Sequence, residues 1–112
     1  MSAFTASKSA IASETLVEYL NTFNPAIRDL ETVPGVGPAA RAAFEEAGTK
    51  SVQGLLGRLL ICCDQENTCH EAYEAFYQHV HEIAPRANAH TITFAMASLA
   101  DHMGLLTWED EL

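Results

Sequence analysis

The sequence predicts an all-α fold, a compact domain of five to six helices. Three observations predict it. Apolar residues recur at helical spacing along most of the chain. Capping residues and Pro or Gly stops bracket those runs. No segment alternates as a strand without a stronger helical signal beside it. The length of 112 residues suits a single domain with its own core, and a hydrophobic share of 48% excludes a disordered chain.

The elements follow in order. Residues 1–12 are small and polar and read as a flexible N-terminal segment. The helical domain spans 13–104. Ser13 caps a first helix with Leu16, Leu20 and Phe23 on one face and Val17 beside them. Asn24-Pro25 opens a short second helix, because asparagine caps and proline fits the first helical position. Ile27 and Leu30 point inward from it. A hairpin occupies 33–38: Pro34 discourages helix at Val33, Gly35 and Gly37 widen the backbone choices, and Pro38 starts the next helix. That helix carries Ala39, Ala40, Ala42, Ala43 and Ala47 for close packing, with Phe44 as its large core residue and Gly48 as its C-terminal stop.

Ser51 then caps "VQGLLGRLLICC", in which Val52, Leu55, Leu56, Leu59 and Leu60 form a broad apolar stripe. Gly54 and Gly57 weaken this helix by about 1 kcal/mol each relative to alanine. Close helix contact accounts for them, either inside the monomer or with a partner. Asp64 to Asn67 is a polar break. Thr68-x-x-Glu71 is a capping box that opens a helix with Tyr73, Phe76, Tyr77, Val80 and Ile83, ended by Pro85. Asn88 caps the last helix, which carries Ile92, Ala95, Met96, Leu99 and Met103 and closes at Gly104. "TITFAM" alternates, but the cap before it and the spacing after it favour helix. Residues 105–112 form an acidic C-terminal tail.

Charge is lopsided: 15 acidic against 6 basic residues, a formal net charge of -9. Residues 28–58 balance four bases with four acids, whereas 59–112 hold nine acids and only Arg86. A polyanion approaching the hairpin meets a repulsive half nearby. No apolar run approaches a membrane span and residues 1–12 lack a signal-peptide core, so no membrane contact is expected. Three cysteines fit free thiols in a reducing compartment. The expectation is an intracellular protein, in cytoplasm or nucleus. Cys62, Cys63, Cys69 and His70 match no zinc spacing. No nucleophile elbow, phosphate loop or distinctive carboxylate pair is present, so neither metal, cofactor nor catalysis is expected.

The order of elements resembles barrier-to-autointegration factor, across roughly Thr15 to Gly104. The resemblance runs through the Pro-Gly hairpin, "VQGLLGRLLICCDQ", the aromatic helix "AYEAFYQHVHEI" and "APRANAHTITFAMASLADHMG". It implies a SAM-like helix-hairpin-helix domain that dimerises, binds double-stranded DNA without sequence preference through the hairpin, and binds partner proteins across the dimer. Gly35, Val36 and Gly37 match the hairpin turn. Where the family places lysines on the following helix, this chain has Ala42 and Ala43, and the family's lysine after "ANA" is His90.

Two candidate sites follow. Gly35, Val36, Gly37 and Pro38 bring backbone N–H groups to a helix N-terminus, where they can donate to a phosphate oxygen. Arg41 and Lys50 are the cations such a site needs. The plainer alternative is that the hairpin is a connector. The second site is an interface built from Gly54, Leu55, Gly57, Arg58 and Trp108. The favoured function is a non-enzymatic, homodimeric protein-interaction module with a protein partner. The alternative is sequence-nonspecific binding of double-stranded DNA through the hairpin amides.

Overall fold

The structure, a computed structural model, describes residues 13–24, 26–65 and 68–105. It contains five α-helices: α1 (Ser13–Thr22), α2 (Pro38–Glu46), α3 (Val52–Gln65), α4 (Cys69–Ile83) and α5 (Ala89–His102). A single 3-10 turn, Leu30–Thr32, lies between α1 and α2. No strand occurs among the described residues. None of these helices is long and apolar enough to cross a membrane.

The architecture centres on α5. Ala89, Ile92, Ala95, Met96, Ala97, Leu99 and Ala100 are all buried, which leaves the helix covered on nearly every side. A helix this apolar all round belongs inside a domain. Its alanines let α1, α3 and α4 approach closely. Phe44 of α2, Leu55 and Leu59 of α3, and Tyr73, Phe76 and Val80 of α4 complete the core around it.

The helix ends obey local chemistry. Gly54 N donates to the Ser51 hydroxyl (3.1 Å), Glu71 N to Thr68 (3.1 Å) and Thr91 N to the Asn88 side chain (3.1 Å), each satisfying an otherwise orphaned donor. At the end of α2, Gly48 has φ +99°, and its N–H reaches Glu45 O (3.1 Å) while Thr49 N reaches Phe44 O (2.8 Å). These two bonds define a Schellman stop that only a left-handed residue permits. Gly104 N and Leu105 N close α5 with the same pattern, onto Asp101 O and Ala100 O.

Some expectations fail locally. The short helix after Asn24 does not form, and Pro25 lies outside the described residues. Asn24 closes one turn only, accepting from Ala26 N at 2.9 Å, and Asp29 then caps the 3-10 turn through Glu31 N. The reason is tertiary. Arg28 O accepts from Val52 N (3.0 Å) and Ile27 O from Gln53 Nε2 (2.7 Å), so carbonyls that a helix would use internally anchor the start of α3 instead. Leu30 is still buried, whereas Ile27 is half-buried.

On α1 the deeply buried residue is Tyr19, packed on Phe23, while Leu16, Leu20 and Phe23 are half-buried and Val17 is 54% exposed. Met103 falls past the end of α5 and is exposed rather than inward. Asp64 sits in the last turn of α3, not in a break, and Glu66 and Asn67 lie outside the described residues. The N-terminal segment 1–12 and the tail from residue 106 onward also lie outside them.

Two buried hydroxyls, Tyr19 Oη and Thr93 Oγ1, have no hydrogen-bond partner among the described residues. Burial pushes the Tyr19 phenol well above its ordinary pKa. Removing an unsatisfied buried hydroxyl while keeping its shape is expected to stabilise. Tyr19→Phe and Thr93→Val should each raise the unfolding free energy by about 1 kcal/mol in urea melts. A loss of stability in either variant would show that its hydroxyl is bonded in solution.

Candidate functional site

The hairpin is a tight turn. Val36 N bonds Val33 O at 3.0 Å, Pro34 supplies the second position, and Gly35 takes φ +95° at the third. That is the geometry of a type II turn, which demands glycine there. Space demands it too. A Cβ on Gly35 would lie 3.0 Å from Ile92 Cγ1 and 3.2 Å from Thr91 Cγ2 of α5. Val36 is buried beside it. Gly35 and Val36 are therefore packing residues.

Gly37 is different. Its backbone is extended (φ -96°, ψ -176°), and a Cβ there would meet nothing within 4 Å. It caps α2 without a side chain. Pro38 has no N–H, and Arg41 N bonds Gly37 O at 2.9 Å, so the amides of Ala39 and Ala40 are the donors left at the N-terminus of α2. They border a groove of about 520 Å³ between Gly37, Pro38, Ala40 and Ala43 on one side and Ile83 to Asn88 on the other.

Cations reach this groove from an unexpected place. Arg41 is spent on neighbouring acids: its Nε lies 2.8 Å from Glu31 Oε2 and its Nη1 3.9 Å from Glu45 Oε2. Lys50 is exposed but does not line the groove. Arg86, which the sequence reading did not single out, sits on the groove wall in the α4–α5 connection. Its signal in the sequence was its isolation as the one base after Arg58. His90 is half-buried and packs its ring on Tyr77, with centroids 4.7 Å apart, and His81 stacks on Tyr77 at 5.9 Å.

No protein-family model, no curated protein and no solved structure matches this chain.

The second candidate surface is the outer face of α3. Gly54 is exposed, Gly57 and Leu60 are half-buried, and Ile61 is 47% exposed. A Cβ on Gly57 would meet nothing within 4 Å. One on Gly54 would make only ordinary contact with Ser51 and Thr49, just before the same helix. Neither glycine packs against another helix of the described chain. Leu55 does not belong to this face: one residue on from Gly54, about 100° around the helix, it is fully buried in the core. Arg58 lies at the edge of the face, half-buried, next to His79 of α4. Trp108 lies outside the described residues. Cys62 is buried and Cys63 half-buried, and neither is in a disulfide.

Burial, and then the Arg58 charge, hold His79 below its ordinary pKa of 6.5, with Glu82 partly opposing them. The folded state thus prefers neutral His79. Its contribution to stability is complete above pH 6.5 and is lost as the pH falls below that value, where the unfolded chain binds the proton first. His79→Gln should flatten the acid limb of the stability curve between neutrality and about pH 5, followed by thermal melts. The two hairpin glycines should separate as well. Gly35→Ala should cost about 2 kcal/mol or more from strain and crowding. Gly37→Ala should stay within about 0.5 kcal/mol of the parent. Equal losses in chemical denaturation would refute the distinction.

Proposed function

We propose that this chain is a non-enzymatic, homodimeric interaction module that acts inside the cell as an adaptor for a protein partner. One observation carries the reading. Gly54 and Gly57 each weaken α3 by about 1 kcal/mol relative to alanine, yet the packing of the described residues uses neither. A fold keeps such a cost where another helix must come close. The half-exposed Ile61 beside them supplies apolar area for that contact. The resemblance in element order to barrier-to-autointegration factor, whose members dimerise and bind proteins across the dimer, supports the same reading. The net charge of -9 favours a partner with a basic surface. The odd count of three cysteines suits a reducing compartment, cytoplasm or nucleus.

A second reading has its own observation. The uncapped N-terminus of α2 faces Arg86 across the groove, an arrangement that suits a phosphate of double-stranded DNA. It is the lesser reading because Arg41 is already neutralised by Glu31 and Glu45.

Light scattering across a concentration series tests the first reading. The parent chain is expected at twice its monomer mass, and Ile61→Glu at the monomer mass with unchanged helical circular dichroism. A parent that stays monomeric throughout would end the dimer. Titration of a random-sequence DNA duplex tests the second. Binding that appears at low salt, fades at physiological salt and is lost in Arg86→Glu would promote it. No binding at low salt would remove it.

A further inference from the structure

We propose that residues 106–111 dock on the outer face of α3 in the same molecule, with Trp108 over Ile61 and an acid of Glu109-Asp110-Glu111 on Arg58. The receiving face is built from described residues. Arg58 is half-buried. Its Nε is buried without a hydrogen-bond partner, and no carboxylate lies within ion-pair distance of it among the described residues. His79 of α4 feels the Arg58 charge but cannot act as its counter-ion. A guanidinium withdrawn this far from water is costly until an anion meets it. Ile61 follows one turn on along the same face and is 47% exposed. An apolar spot thus adjoins an unmatched cation. A segment that sets a large apolar side chain beside carboxylates suits such a face, and residues 106–111 read Leu-Thr-Trp-Glu-Asp-Glu.

Reach and charge select this face. The short connections 66–68 and 84–88 fold α3, α4 and α5 back on one another, so α3 and α5 finish at the same end of the domain. The chain leaves that end through the exposed Leu105. Arg58 lies about 10 Å back from the end of α3. Six extended residues span about 20 Å, enough to bring Glu109 to Glu111 to it. The other bases do not compete. Arg86 stands at the opposite end of α5. Arg28 and Lys50 flank the start of α3. Arg41 is already paired with Glu31 and Glu45. Exposed Asp64, Glu71 and Asp101 at the near end repel the acids of the segment and leave Arg58 as their partner. The docked segment covers part of the face assigned above to the dimer, so it competes with a second copy for Ile61. It does not rest on the dimeric reading.

Trp108 is the one tryptophan of the chain, so its fluorescence reports the contact directly. In the dilute full chain its emission is expected at shorter wavelength, and its quenching by acrylamide slower, than in a synthetic peptide of residues 105–112. Arg58→Gln should move both towards the peptide values with helical circular dichroism unchanged. So should a variant that combines Glu109→Gln, Asp110→Gln and Glu111→Gln. This second variant alters no described residue, so it keeps the test decisive where Arg58→Gln disturbs the fold. High salt should weaken the protection. A Trp108 as accessible as in the peptide, or a protected one indifferent to both variants, overturns the docking. Protection that grows with protein concentration assigns the contact to a second copy and overturns it too. The dimeric reading is judged by mass alone. A monomer with Trp108 protected ends that reading and keeps this one, and a dimer with Trp108 accessible does the reverse.

Discussion

Burial of α5 is the constraint on which the rest depends. A helix lined by Ala89, Ile92, Ala95, Met96, Leu99 and Ala100 is stable only with neighbours on nearly every side. Helices α1, α3 and α4 supply three of those neighbours. The hairpin supplies another at the first turn, where Gly35 lies so close to Thr91 and Ile92 that no side chain fits. This contact fixes where the hairpin sits, hence where α2 starts. The groove beside Pro38 and Ala40 is a consequence of that placement.

Glycine thus does two kinds of work in this chain. Gly35 and Gly48 are required by the fold, because both hold positive φ and one of them faces a packed helix. Gly37, Gly54 and Gly57 answer no internal demand of that kind. They leave backbone accessible, at the N-terminus of α2 and along the outer face of α3. The inner stripe of the same α3, with Val52, Leu55 and Leu59, is fully buried. One helix therefore serves the core with one side and leaves the other without a neighbouring helix among the described residues. The charges show a similar division: Arg41 at the hairpin is paired with Glu31 and Glu45, whereas Arg86 lies on the groove wall.

By itself the sequence determined the helices with strong local signals. Thr68, Asn88 and Ser51 cap where their side chains predict, and Gly48 stops α2, because each of these events is settled within one helical turn. The hairpin turn was legible for the same reason. Only the tertiary structure decided the segment after Asn24, since its carbonyls are claimed by Val52 and Gln53, far along the chain, and no local pattern announces such a bond. It also decided that Tyr19 rather than Leu16 leads the buried face of α1, that Leu55 is core while Gly54 is surface, and that Arg41 is neutralised while Arg86 reaches the groove. Helical spacing tells which residues share a face. Which face meets the core, and which charge finds a partner, depends on neighbours brought together only when the chain has folded.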